Sequence, residues 1–182
     1  MNVTKADING VLIIEPKIFC DERGFFFESY SKKRYQEYGV DSEFTQDNIS
    51  RSGKDVLRGL HYQTQNTQGK LVYMITGTVF DVIVDIRKNS STFGQWRGFI
   101  LDDKTHKQLY IPPGCAHGFC VLSDHVYLVY KCTDYYNPNA EKTIKWNDPT
   151  LNINWPVKNP IVSTKDTNGI YLQNAINDNL LL

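Results

Sequence analysis

"TVFDVIVDIR", residues 78–87, sets Phe80, Val82, Val84 and Ile86 on one face and Asp81, Asp85 and Arg87 on the other. A period of two with unlike faces is the signature of a β-strand; a helix would gather its apolar residues three and four apart. Similar short runs lie on both sides of it. They are "VLIIEP" (11–16), "GFFFESY" (24–30), "EFTQDNI" (43–49), "VLRGLHYQ" (56–63), "KLVYMI" (70–75), "GFILDD" (98–103), "KQLYIPP" (107–113), "GFCVLS" (118–123) and "VYLVYKC" (126–132). Gly, Asn, Asp, Ser and Pro punctuate them, which predicts an all-β sandwich or barrel. Gly77, between "KLVYMIT" and "TVFDVIV", reads as a hairpin turn. "SKKRYQEYG" (31–39) is the best helix candidate, with Gly39 as its stop. From about Asn147 the pattern is mixed and predicts short helical turns over one end. No repeat, linker or low-complexity stretch divides the chain, so residues 1–182 read as one domain.

The totals narrow the classes of function. Twenty basic and twenty acidic side chains leave no net charge. There is thus no basic field to attract nucleic acid or an anionic membrane, and any anionic ligand must be held by a few placed cations. No apolar run approaches the roughly 20 residues needed to span a bilayer. "MNVTKADING" lacks an apolar signal core, which predicts a cytoplasmic protein. Cys20, Cys115, Cys120 and Cys132 form no Cys-x-x-Cys pair and fit no zinc spacing; they read as reduced, mostly buried thiols.

Within "VLRGLHYQ", Arg58 and His61 stand three residues apart. Strict alternation would put them on opposite faces. Gly59 permits a bulge, which would turn both inward. The pairing of a guanidinium with an imidazole then suggests an anion site beside a base.

Several motifs are missing: a Gly-x-Gly-x-x-Gly dinucleotide fingerprint, a phosphate loop and a Gly-x-Ser-x-Gly nucleophile elbow. "IPPGCAHGF" (111–119) carries Pro112, Gly114 and His117 in the spacing Pro-x-Gly-x-x-His, which resembles the second motif of the cupins, small barrels with a jelly-roll core. Many cupins hold a metal through a first motif with His-x-His. Here the counterpart is His61, Tyr62, Gln63, without the second histidine, and His106 and His125 have no ligand spacing. A transition metal needs three or four protein ligands, so no metal is expected.

"DERGFFFESY", "QDNIS", "VLRGLHYQ", "GKLV", "VDIRKNSSTFGQW", "IPPGCAHGF", "YKCTDYY", "WNDP" and "KD" follow in this order over nearly the whole chain. In this the chain closely resembles the dTDP-4-dehydrorhamnose 3,5-epimerases, enzymes of L-rhamnose precursor synthesis. The resemblance implies a cupin-like jelly roll with a few short peripheral helices, a homodimer, no cofactor and no metal. The family reaction inverts C3 and C5 of a 4-keto-6-deoxyhexose on dTDP. Both carbons flank the ketone, so losing either proton gives an enolate with its charge on the C4 oxygen. Inversion needs a base, an acid across the ring, an oxyanion stabiliser and a pyrophosphate clamp.

The resemblance assigns those parts. His61 is the base; an imidazole ordinarily titrates near 6.5, close to working pH. Asp166 orients it, as a triad carboxylate does. Tyr130, which alternation groups with Val126 and Leu128, is the acid from the far face. Lys70 stabilises the enolate. Arg58 and Arg23 match cations near the pyrophosphate. Glu28, Gln46, Asp47, Asn48, His117, Glu141 and Lys165 match ligand-binding positions, and Tyr136 matches the ring that stacks on thymine. Asp21–Tyr30 could belong to the site of the neighbouring subunit. Read singly, Lys70 would be a solvated strand-end lysine, Tyr130 a core tyrosine and Asp166 a loop or cap residue. Three rival functions share these residues: an epimerase of C3 only, a sugar-nucleotide binding module without catalysis, and a metal-dependent cupin.

Overall fold

The computed structural model describes residues 1–182. Its strands are β1 (Asn2–Lys5), β2 (Leu12–Glu15), β3 (Phe19–Asp21), β4 (Gly24–Phe26), β5 (Gln46–Gly53), β6 (Val56–Gln63), β7 (Lys70–Thr76), β8 (Thr78–Asp85), β9 (Trp96–Asp102), β10 (Gln108–Ile111), β11 (Cys115–Val121), β12 (His125–Cys132), β13 (Glu141–Thr143) and β14 (Ile161–Val162). Three short helices accompany them: α1 (Lys32–Gln36), α2 (Thr164–Thr167) and α3 (Leu172–Asn177).

Two sheets face each other. One has the order β1-β2-β10-β7-β12-β5 and the other β13-β6-β11-β8-β9, with β14 added parallel to β6. β3 and β4 form a separate hairpin. The space between the sheets is filled by alternate residues of both. Val72, Met74, Leu109, Ile111, Val126 and Leu128 of the first meet Val79, Ile83, Phe119 and Val121 of the second, all buried. This is the all-β, cupin-like jelly roll expected, with its helices at the periphery.

β8 departs from the usual inside–outside pattern, because both of its faces are buried. Val82, Val84 and Ile86 point away from the other sheet and lie under Leu151, Leu172, Ala175 and Leu181 of the C-terminal segment. The face with Val79 and Ile83 looks into the sandwich and carries Asp81 and Asp85, both 0% exposed. Asp85 is satisfied locally by Arg87, Ser90 and Thr92 at 2.6–2.8 Å. Its carboxyl is held down to about 2: burial alone would raise it, and those hydrogen bonds outweigh burial.

Gly77 is not a hairpin turn. β7 lies in the first sheet and β8 in the second, so Gly77 carries the chain around a corner between them. A single residue is too short for the two-residue reversal that pairs adjacent strands. Gly77 has φ +83°, and a Cβ there would sit 2.3 Å from the His125 carbonyl oxygen. The helix in "SKKRYQEYG" is only five residues long, and the chain leaves it through Gly39 at φ +89°. Tyr35 buries it against Leu12, Ile14, Leu71 and Tyr110.

Candidate active site

The site begins at the irregularity in β6. His117 of β11 pairs with His61, and Phe119 pairs with Arg58, so the single Gly118 faces both Gly59 and Leu60. That is the bulge expected. Gly59 has φ +120°, and a Cβ on it would meet Gly118 Cα at 2.5 Å and the His117 carbonyl oxygen at 2.8 Å. The extra residue turns Arg58 and His61 into one cavity of about 250 Å³, while Leu60 packs under the C-terminal segment.

His61 Nε2 lies 2.6 Å from Asp166 Oδ1. Asp166 stands in α2 and is 2% exposed. Its Oδ2 accepts from the Gly59 N–H at 3.2 Å, and its own N–H donates to Ser163 Oγ at 3.1 Å. Burial pushes this carboxyl up, but the hydrogen bond and charge of His61, the Gly59 N–H and Lys165 hold it below its ordinary value. An ionised Asp166 accepts Nε2–H and leaves Nδ1 as the basic nitrogen.

Lys70, Tyr130, His117, Tyr136, Glu141 and Lys165 line the same cavity. Lys70 opens β7 and is 9% exposed rather than solvated. Burial lowers its pKa, opposed only by the charges of Cys132, Glu141, Asp81 and Cys115. Tyr130 packs at the edge of the interior cluster with Val126 and Leu128, as alternation predicts. Burial raises its phenol pKa, with Arg58 pulling the other way. At the rim, the Tyr136 hydroxyl donates to Glu141 Oε2 at 2.8 Å, and Lys165 Nζ reaches Glu141 Oε1 at 2.6 Å. Arg58 is steadied by Ser52 Oγ at 2.9 Å.

The remaining expected residues divide. Gln46 accepts from the Tyr136 N–H at 2.9 Å and donates to Asn48 Oδ1 at 3.0 Å, so both stand behind Tyr136 without lining the cavity themselves. Asp47 does not join them, because alternation along β5 turns it outward, where Lys131 holds both its oxygens at 2.8 Å. Arg23 and Glu28 also lie away from the cavity of their own chain. Arg23 pairs with Asp21 at 2.6 Å on the β3–β4 hairpin, and Glu28 with Arg34 at 3.3 Å. Asp81 was not anticipated: its Oδ2 lies 2.8 Å from His117 Nε2, a second histidine–aspartate pair. The period of two placed Asp81 on a face, and nothing in the sequence said that this face was the interior.

Three cysteines are buried and Cys20 is exposed. No three His, Cys, Asp or Glu side chains are grouped so as to hold a metal ion. No helix is long and apolar enough to cross a membrane.

Residues 5–174 match the family model described as dTDP-4-dehydrorhamnose 3,5-epimerase. The chain belongs to that family. As a member it is an isomerase acting on carbohydrates. The dTDP-4-dehydrorhamnose 3,5-epimerase of Shigella flexneri is 56% identical over 171 residues, 93% of this chain and 94% of that one. The crystal structure of the dTDP-6-deoxy-D-glucose-3,5-epimerase of Legionella pneumophila Philadelphia 1, in complex with dTDP-4-keto-L-rhamnose, superposes with a TM-score of 0.95. It is 53% identical, over 99% of this chain and 96% of that one. A 3'-monoepimerase from Streptomyces bikiniensis, in complex with dTDP-quinovose, is 34% identical with a TM-score of 0.91, over 97% and 90% of the two chains. The family's scaffold therefore carries both the double and the single inversion.

Proposed function

We propose that this chain converts dTDP-4-dehydro-6-deoxy-D-glucose to dTDP-4-dehydro-L-rhamnose, for dTDP-L-rhamnose synthesis, by inverting C3 and C5. The observation that carries this reading is the His61–Asp166 pair opening into the cavity that Tyr130 and Lys70 also line. His61 takes the proton next to the ketone through Nδ1, and Asp166 stabilises the imidazolium that forms. The electron pair of the broken C–H bond moves to the C4 oxygen, where the Lys70 ammonium meets it. Tyr130 returns a proton to the opposite face. Its raised pKa keeps the phenol protonated until an enolate is there to receive the proton. Arg58 takes the pyrophosphate, Glu141 and Lys165 bind the ligand at the rim, and Tyr136 stacks on the thymine, with Gln46 and Asn48 behind it. His117, set by Asp81, forms part of the sugar pocket.

The working unit in this reading is a cytoplasmic homodimer of single-domain subunits. Phe19, Phe25 and Phe26 on the β3–β4 hairpin are 53%, 59% and 70% exposed, more apolar surface than a two-stranded arm keeps in water. Docked on a second copy, the hairpin brings Arg23 and Glu28 toward that subunit's nucleotide. The test is incubation with dTDP-4-keto-6-deoxyglucose in D₂O, with deuterium located by NMR. Label at both C3 and C5 with inversion is expected, and none from His61→Asn. Label at C3 alone would replace the reading with that of a 3'-monoepimerase.

A further inference from the structure

His106, in the turn between β9 and β10, takes no part in the reaction cavity. It is 4% exposed, and its Nδ1 is buried without a hydrogen-bond partner. Its backbone is left-handed, at φ +50°. Both features cost stability, and what stands against them is a cluster of rings. The centroids of Phe25 and Phe27 each lie 4.7 Å from the imidazole, at interplanar angles of 40° and 29°, within the range of favourable aromatic contact. Alternation along β4 turns Phe26, 70% exposed, to the other side.

No hydrogen bond or ion pair joins residues 16–27 to the body of the chain; β3 and β4 bond each other, and Arg23 bonds Asp21. This arm is seated at its two ends on β10. Gln108 stands opposite Ile14 of β2, the strand that leads into the arm, and its Nε2 donates to the carbonyl oxygen of Ser29, just beyond the arm, at 2.9 Å. His106 comes two residues before Gln108 and meets the arm between those ends. It is therefore placed to set the angle at which the arm leaves the body. We propose that His106 is a positioning residue for nucleotide binding in the other subunit. Its ring fixes the arm, and the arm fixes where Arg23 and Glu28 stand in the neighbouring site. This rests on the reading of a homodimer whose β3–β4 hairpin reaches the second copy.

Steady-state kinetics on mixed dimers test this. An arm that stands in place only about a tenth of the time raises KM about tenfold. His106→Ala, or His106→Leu if the smaller side chain unfolds the turn, is expected to show that rise with kcat little changed, because His61, Asp166, Lys70 and Tyr130 are untouched. His106→Phe keeps a ring against Phe25 and Phe27 and is expected to keep the wild-type KM. Subunit exchange then shows which site responds. With His61→Asn chains in excess, the one working site of each mixed dimer lies in the His106→Ala chain and receives its arm from a chain whose His106 is intact. Its KM is expected to return to the wild-type value, whereas packing lost within the subunit would leave it raised. A raised KM in the mixed dimers, a wild-type KM in the His106→Ala homodimer, or a rise in His106→Phe as large as in His106→Ala would overturn the proposal. Failure of the underlying reading looks different: Arg23→Ala would keep wild-type turnover and KM.

Discussion

Replacing Lys70 by methionine should stabilise the fold and disable the site at once. The ammonium is nine-tenths buried, and only longer-range charges offset its desolvation. Exchanging a buried ion for an apolar side chain of like length is often stabilising, here by about 1–2 kcal/mol. For a chain of this size that raises Tm by about 2–8 °C. The same change removes the proposed enolate stabiliser, which costs about 3–4 kcal/mol of barrier, or roughly 10²–10³ in kcat. The gain also depends on pH in a defined direction. The folded-state pKa of Lys70 lies below its ordinary 10.5, so its destabilising effect is fully present below the folded value. That effect fades as pH rises from the folded value toward 10.5, and the Tm difference between variant and wild type should close over the same interval. Calorimetry across pH, paired with a steady-state epimerase assay, checks both halves. A variant that melts below the wild type, or keeps its kcat, would refute the assignment of Lys70 as a buried charge held ready for the enolate.

Asp166→Asn should lower kcat by roughly 10²–10⁴ with little change in dTDP affinity, read by steady-state kinetics and calorimetric titration. Because the Asp166 carboxyl is held below its ordinary 3.8, its stabilisation is present above that value and lost as pH falls through the folded pKa, so the variant's stability should fall less steeply in acid denaturation. Tyr136→Ala should weaken dTDP binding by about 1–3 kcal/mol, the worth of one stacked base, and raise KM more than it lowers kcat. Mixing inactive Arg23→Ala and His61→Asn dimers under subunit exchange should restore activity, because each mixed dimer then holds one intact site; no recovery would place Arg23 outside the partner's pocket.

The sandwich was legible because it rests on alternation, which is a local property of the chain. The inward bulge at Gly59 was legible too, since a glycine between two polar side chains has few other uses in a strand. What failed was pairing at a distance. Gly77 looked like a hairpin because its neighbours are both strands, but sheet membership is decided by β10, β11 and β12, some thirty to fifty residues later. Asp47 was grouped with Gln46 and Asn48 as one run, although the alternation that exposed β8 also sends it to the opposite face. Asp81 went unread because the apolar face of β8 looked like the interior, whereas the C-terminal segment covers that face and leaves the aspartates to the sandwich. Asp166 and Lys70 have no local signature as site residues, and only the family pattern picked them out.

His61 and Asp166 are 105 positions apart, and the strand that leads into Asp166 adds to β6 after most of the barrel has been made. On the ribosome, both sheets can close before the carboxylate exists to aim the imidazole. The same late segment brings Leu172, Ala175 and Leu181 to cover Val82, Val84 and Ile86. One late stretch of the chain therefore both shields an apolar sheet face and aims the base. A chain without that stretch would expose apolar surface, the property that invites capture by chaperones, and would lack an aimed base.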